Sequence, residues 1–469
     1  MEAAVLQRLL EIALHKGGDY ADIYIENKKT SGVWFEDSRL EKSHCGVEGG
    51  AGIRLLKGRQ TAYVYTSDLT LGALEKAARL AAQALRSSEQ SAEAIPLLHS
   101  PVRHSPGGEI QSNEVSWEHK MERVFAADQA ARSLGQAVRQ VSVGLADLEK
   151  AVVFANSLGE RVENSYNRIR GMINVVAARD GILQTGYESL GGVCGWELLD
   201  DGLWEERARK AAQLAVSMLS ARPAPAGRMA VIMSSEAGGT MIHEACGHGL
   251  EADLVQKQLS VYQGRRGEMV ASPLVTVIDD PTLDKRYGSY VFDDEGTAAQ
   301  RTVLIEAGRL VNYLYDRHTA LADRTSSTGN GRRESYQHKP IPRMSNTYIA
   351  PGQDHSQDII ASTPRGLLVM KMGGGQVNTL NGDFVFEVSE AYMIEDGKVS
   401  YPVRGATLTG NGPRALQDVD RIGNDLGFSI GVCGKDGQGV PVSDAQPTIR
   451  IKELTVGGTQ LKGKTAAGR

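Results

Sequence analysis

The chain has 469 residues, 41% hydrophobic and 23% charged, with a formal net charge of −5. This is the composition of an ordinary folded protein, and the length predicts two domains, because single cores stop growing at roughly 250–300 residues. A mildly acidic chain offers no electrostatic reason to bind nucleic acid or an anionic membrane, and no apolar run reaches membrane-spanning length.

The opening stretch MEAAVLQRLLEIALHKG places Val5, Leu9, Ile12 and Ala13 at helical spacing. It lacks the basic start and cleavage signature of a signal peptide. Residues 20–46 read as extended strands with polar turns, and 51–66 as a hairpin turned at Lys57–Gly58. A strong helix over 69–86 carries Leu71, Leu74, Ala77, Ala78 and Ala81 on one face. Residues 87–113, with Pro96, Pro101 and Pro106, read as a polar connection. A helix over 117–134, strands over 139–159 and a helix over 203–221 follow. Runs of strands and helices joined by hairpins argue for an α+β fold.

ARPAPAGR, residues 221–228, reads as a domain boundary, giving domains 1–222 and 229–469. Beyond it the texture changes to short alternating strands with glycine turns. Hairpins are expected around Ala307–Gly308 and Asp396–Gly397, and residues 461–469 read as a frayed tail. Arg265–Arg266 and Arg332–Arg333 are each followed by a glutamate, Glu268 and Glu334, and read as solvated or paired surface charge. Cys45, Cys194, Cys246 and Cys433 show no disulfide spacing, which fits reduced thiols in a cytoplasm.

The segment MIHEACGHGL, residues 241–250, holds two histidines around a glutamate. A catalytic zinc site uses three protein ligands and keeps one position open for water, and a carboxylate beside that water can serve as general base. Histidines four apart on a helix lie about 40° from each other, but His243 and His248, five apart, would lie about 140° apart on a regular α-helix. They can share an ion only if the helix is irregular between them, and a π-bulge realigns residues five apart. Gly238, Gly239, Gly247 and Gly249 permit that distortion. The third ligand is open between Glu251 and Cys433, the latter in the glycine-flanked turn GVCGKDGQG. Cys246 reads as a small buried residue.

The runs HEACGHGLEAD, NGRRESYQHKPIPRMSNTYIAPG, GGGQVNTLNGDFVFEVSEAYMIEDGK and VCGKDGQ occur in order through nearly all of the second half. Together they resemble the TldD/PmbA family of metallopeptidases, and the intact motif resembles its catalytic, TldD-type branch. The resemblance implies an amino-terminal α/β domain with antiparallel sheet and long helices. It also implies a carboxy-terminal, mainly antiparallel β domain that carries the distorted metal-motif helix. By the same resemblance His243, His248 and Cys433 hold one Zn2+ per active subunit, and Glu244 activates water. It further implies a homodimer or a heterodimer with a PmbA/TldE-type paralogue.

The expected reaction is zinc-assisted hydrolysis of an extended, unstructured peptide lying along a strand edge, as in leader-peptide removal or degradation of unfolded polypeptides. Gly373, Gly374, Gly375 and Asn378 of GGGQVN are candidate substrate contacts. His338 is the candidate oxyanion stabiliser, Arg343 is a further polar candidate, and Glu251 is expected to fix a histidine ring. The rival reading is a non-catalytic metal-binding regulatory module acting through a partner protein. Its ion would be closed in by His243, His248 and Cys433 with Glu251 or Cys246. A metal-free regulator linked to DNA gyrase is a second rival, and direct DNA binding is not expected of an acidic chain without a DNA-reading motif.

Overall fold

A computed structural model describes residues 1–85, 94–97, 103–104, 108–200 and 202–458. Most of the connection expected over 87–113, and the tail at 461–469, lie outside the described residues.

The opening helix α1 (Ala3–Leu14) buries Leu6, Leu9, Leu10, Ala13 and Leu14, so its apolar stripe is centred slightly off the expected one. Two long strands follow, β1 (Tyr20–Glu36) and β2 (Arg39–Lys57), and then β3 (Gln60–Thr66) after the turn at Gly58. Helix α2 (Leu71–Ala84) buries Leu74, Ala77, Ala78 and Ala81 as expected, but Leu71, in its first turn, is exposed. Helix α3 (Trp117–Arg132) is capped by Ser116, whose side chain accepts the His119 N–H. Strands β4 (Val138–Asn156), β5 (Arg161–Arg179) and β6 (Ile182–Gly192) and helix α4 (Leu203–Met218) complete this half. The sheet runs in the order β3-β2-β1-β4-β5-β6, with its long strands antiparallel. Helices α1 and α2 bury their apolar faces in one core, α3 and α4 in another.

The chain leaves α4 through residues 222–223, which already pair with a carboxy-terminal strand, and enters β7 (Gly227–Met233). Among the described residues the carboxy-terminal half holds, beside a two-stranded pairing of Gly331–Arg332 with Ile341–Pro342, two large sheets. One contains β8 (Val277–Asp279), β9 (Thr302–Glu306), β10 (Arg309–Leu310) and β11 (Asn346–Ile349). The other contains β7, β12 (Arg365–Val377), β13 (Asp383–Glu395), β14 (Lys398–Arg404) and β15 (Thr407–Asn411). Strands β16 (Gly427–Lys435) and β17 (Gln438–Gln446) extend the first sheet, whose order is β10-β9-β8-β11-β17-β16, and β18 (Ile449–Gly457) joins the second. Pairings β12-β7-β18-β15-β13 return to β12, so the second sheet closes on itself. Both expected hairpins form, with positive φ at Ala307–Gly308 and at Asp396–Gly397, as tight two-residue turns require.

One contiguous core joins both carboxy-terminal sheets, and Met241, Ile242, Ala245, Cys246 and Leu250 of the histidine segment are part of it. The fold is α+β, with an amino-terminal half of long helices on an antiparallel sheet and a β-rich carboxy-terminal half.

One reading of surface charge needs correction. Arg265 pairs with Glu268 at 3.0 Å as expected, but Arg332 and Arg333 are buried, at 5% and 3% exposure, and neither pairs with Glu334. They lie where the amino-terminal sheet meets the carboxy-terminal half.

Candidate metal centre

The histidine segment runs through three helical forms in eleven residues. Thr240–Ile242 is α-helical, His243–Gly247 is one π turn and His248–Leu250 is 3₁₀. The His248 N–H donates to the His243 carbonyl, the five-residue bond of a π turn, which brings residues five apart onto one face. The two imidazoles stand 4.9 Å apart, nearly perpendicular. Gly239, at φ +77°, starts the segment where a Cβ would lie 2.4 Å from the Ala445 nitrogen, so only glycine lets the segment pass β17 this closely.

Cys433 faces the histidines from β16 rather than from a turn; the turn comes later, at Asp436–Gly437. Its Sγ lies 3.4 Å from Nε2 of His248, and one ligand atom from each of His243, His248 and Cys433 falls within 4.8 Å of the others. Among the described residues this is the one such group of three. Burial pushes the Cys433 thiol up, but the adjacent imidazoles more than reverse that and hold it at about 5. The same contacts raise both imidazoles, so the three groups share charge as a thiolate beside protonated rings, and metal binding requires the rings to lose their protons.

Each imidazole is held from behind by a carboxylate. Nδ1 of His243 is 2.8 Å from Asp444, and Nδ1 of His248 is 3.0 Å from Glu251. Both Nε2 atoms are thereby left for the common centre. Glu251 is fully buried and contacts Lys435 at 3.1 Å and Arg343 at 3.8 Å. Arg343 also donates to the carbonyls of Cys433 (2.5 Å) and Gln438 (3.2 Å), tying the β16–β17 hairpin to the same support. Burial opposes ionisation of Glu251, but Lys435, His248 and Arg343 outweigh it and hold its carboxyl at about 2. Cys246 is fully buried, its thiol directed at the Ile242 carbonyl, and burial raises its pKa.

Glu244 differs from its neighbours. It lines the cleft with the three donors, and no hydrogen bond joins its carboxylate to a described residue. Burial raises its pKa, against the pull of the two histidines.

The cleft measures about 590 Å³. One wall is β16 from Ser429 to Lys435, the outermost strand of its sheet; Gly375, Gln376 and Val377 of β12 form another. Gly374 and Asn378 lie outside this lining, and the Asn378 side chain accepts the Leu380 N–H within its own turn. Gly375 is a glycine for packing, since a Cβ there would meet the Phe386 ring at 2.0 Å. His338 bonds Ser335 and does not line the cleft. Asp444 and Lys435 carry no spacing signal that sequence reasoning could have used, because the β16–β17 hairpin brings them in from far along the chain.

By fold and by donor set the chain is of a metallopeptidase class. Family models for the PmbA/TldA metallopeptidases match it as domain 1 over residues 21–86, the central domain over 110–219 and the C-terminal domain over 226–458. The Metalloprotease TldD homolog of Haemophilus influenzae is 36% identical over 98% of this chain and 97% of its own. The Zinc metalloprotease TldD homolog of Saccharolobus solfataricus is 27% identical over 94% and 97%. The solved structure of TldE from Thermococcus kodakarensis has the same fold, with a TM-score of 0.77 at 20% identity over 97% of this chain and 100% of that one. The chain belongs to the PmbA/TldD metallopeptidase family.

Proposed function

We propose that the protein is a zinc peptidase of the TldD catalytic type, acting on extended, unstructured peptides. The observation that carries this reading is Glu244, a carboxylate free of hydrogen-bond partners among the described residues and held in the cleft beside three convergent donors. A purely structural metal site has no use for it.

Two imidazole nitrogens and a thiolate suit zinc, and the geometry leaves Glu251 and Cys246 turned to other partners, which supports three protein ligands. His243, His248 and Cys433 would hold the zinc, which would supply Lewis acidity and lower the pKa of water toward neutrality. Glu244 takes the proton of the attacking water and passes it to the leaving amine, a role its place in the cleft beside the three donors allows. Asp444 and Glu251 fix the two imidazole rings.

The open edge of β16 supports an extended substrate. A peptide laid along that edge would satisfy its main chain by strand addition, which gives affinity with little demand on side chains. It would also pass Cys433, and so the metal. Leader peptides and unfolded polypeptides are the substrate class this favours.

A cytoplasmic location and pairing, as a homodimer or with a PmbA/TldE-type paralogue, complete the reading. No described helix is long and apolar enough to cross a membrane, and the shared TldE fold supports such a partner.

The test incubates unstructured peptides with the wild type and with Glu244→Gln and reads products by mass spectrometry. Cleavage by the wild type, lost in a variant that retains zinc, is the expected result. Stoichiometric zinc without cleavage, even after a TldE-type partner is added, would favour the regulatory module instead.

A further inference from the structure

Where the amino-terminal sheet meets the carboxy-terminal half, β4 and β5 enclose a recess of about 70 Å³ against residues 290–296, 332–334 and 439–441. That volume holds a few waters or one small oxyanion.

Three guanidiniums line it, and none has a carboxylate within ion-pair distance among the described residues. Arg168 is 6% exposed and lies over the Tyr166 and Tyr287 rings. Its Nε is buried without a partner, and its one hydrogen bond among the described residues is a 3.5 Å contact to the Ser289 carbonyl. Arg332 donates to the carbonyls of Met344 (2.5 Å) and Pro441 (2.8 Å). Arg333 donates to Tyr63 (3.1 Å) and to the Asp294 carbonyl (2.9 Å), again with a buried, unpartnered Nε.

The acidic groups of the lining are engaged elsewhere. Asp293 accepts three backbone N–H groups, from Glu295, Thr297 and Gly331. Asp294 accepts the Tyr24 hydroxyl and the Arg333 N–H. Glu334 is exposed and bonds the Gly439 N–H, while Lys150, the remaining cation, pairs with Glu26 at 2.8 Å. Burying a charge without a counter-charge is costly, and planar guanidinium forks match carboxylate and phosphate oxygens.

We propose that this recess binds one small oxyanion, of phosphate or carboxylate type, which clamps the amino-terminal sheet to the carboxy-terminal half. Arg332 already holds the Pro441 carbonyl, and Pro441 pairs with Val432 of β16, so the anion would sit one strand behind the edge that lines the metal cleft.

The experiment titrates the full chain with inorganic phosphate, and separately with acetate, by calorimetry at constant ionic strength held with chloride. One ion per chain is expected, with affinity at least tenfold weaker in Arg168→Gln. Saturation by phosphate alone would assign a tetrahedral oxyanion, and saturation by both a carboxylate-tolerant site. A second readout needs no variant: the wild-type melting temperature should climb with phosphate as binding linkage requires and stay flat with chloride. The proposal is overturned if neither anion gives a saturable isotherm, if chloride raises the melting temperature as much as phosphate, or if folded Arg168→Gln binds as tightly as the wild type.

Discussion

Asp444 reaches across 201 positions of sequence to place a carboxylate oxygen 2.8 Å from Nδ1 of His243. The contact fixes which ring nitrogen faces the metal centre and how the ring is turned. Removing such a carboxylate typically weakens metal binding roughly 10–100-fold. Asp444→Ala should fall in that range in a competition assay against a zinc chelator. Asp444→Asn, which keeps an acceptor at the same place, should recover part of the loss. Equal zinc affinity in all three proteins would show that His243 needs no such support.

Glu251 supports the other histidine and does more. Because it is buried against Lys435 and Arg343 as well as His248, Glu251→Ala should both weaken zinc binding and leave Arg343 without its carboxylate, while Lys435 keeps Asp253 at 2.7 Å. Breaking a buried ion pair from one side costs about 3–5 kcal/mol. From sequence, Glu251 is expected to affect zinc more than structure; its buried partners predict that the metal-free protein is also destabilised, as urea unfolding will read. Glu251→Gln should lose less, since it can still accept from His248.

The sequence made the distorted motif legible for a specific reason. Five-residue spacing cannot serve one ion on a regular helix, and the glycines around it allow a wider turn; the π turn over His243–Gly247 is that solution. The hairpins were legible because Gly308 and Asp396–Gly397 suit positive φ, which Ala307 adopts with them. Asp444 and Lys435 were not legible, because strand pairing decides which side chains of a distant hairpin face a site. Arg332–Arg333 misled for a related reason: a following glutamate looks the same whether the pair is on the surface or buried inside.

Gly412 offers a test of the π turn from outside the motif. A Cβ at this position would lie 2.3 Å from the Ala245 carbonyl oxygen and 3.0 Å from its Cα, both backbone atoms of the turn. Gly412→Ala should therefore push the turn out of place, with an overpacking cost of about 1–3 kcal/mol and weaker zinc binding, although residue 412 is neither ligand nor base. A variant with wild-type melting temperature and zinc affinity would mean that the turn yields freely.

Strand addition along β16 makes the substrate's own backbone the recognised group. A peptide that is cleaved should lose affinity when single amides away from the cut are N-methylated, each effective methylation removing about 0.5–1.5 kcal/mol, or roughly 2–10-fold in KM. Side-chain changes at the same positions should matter less. If methylation at every position leaves KM unchanged, the edge of β16 is not the binding surface.

Asp316 predicts how stability responds to pH. It is buried near Glu295, which in turn pairs with Arg54 of the amino-terminal half at 2.6 Å. Burial and then repulsion by Glu295 raise its pKa to about 7, even though its side chain caps the following short helix by accepting from Thr319. In the unfolded chain it would titrate near ~3.9. Between these values the folded protein keeps a proton that the unfolded chain has lost, so stability falls as pH rises from about 4 to about 7 and is level above that. Asp316→Asn keeps the cap acceptor and cannot ionise, so this part of the slope should vanish. Urea unfolding at pH 5 and pH 8 should find the wild type losing on the order of 2 kcal/mol relative to the variant at the higher pH. Parallel pH dependence in the two proteins would show that Asp316 is ionised in the fold, its charge carried by Arg54.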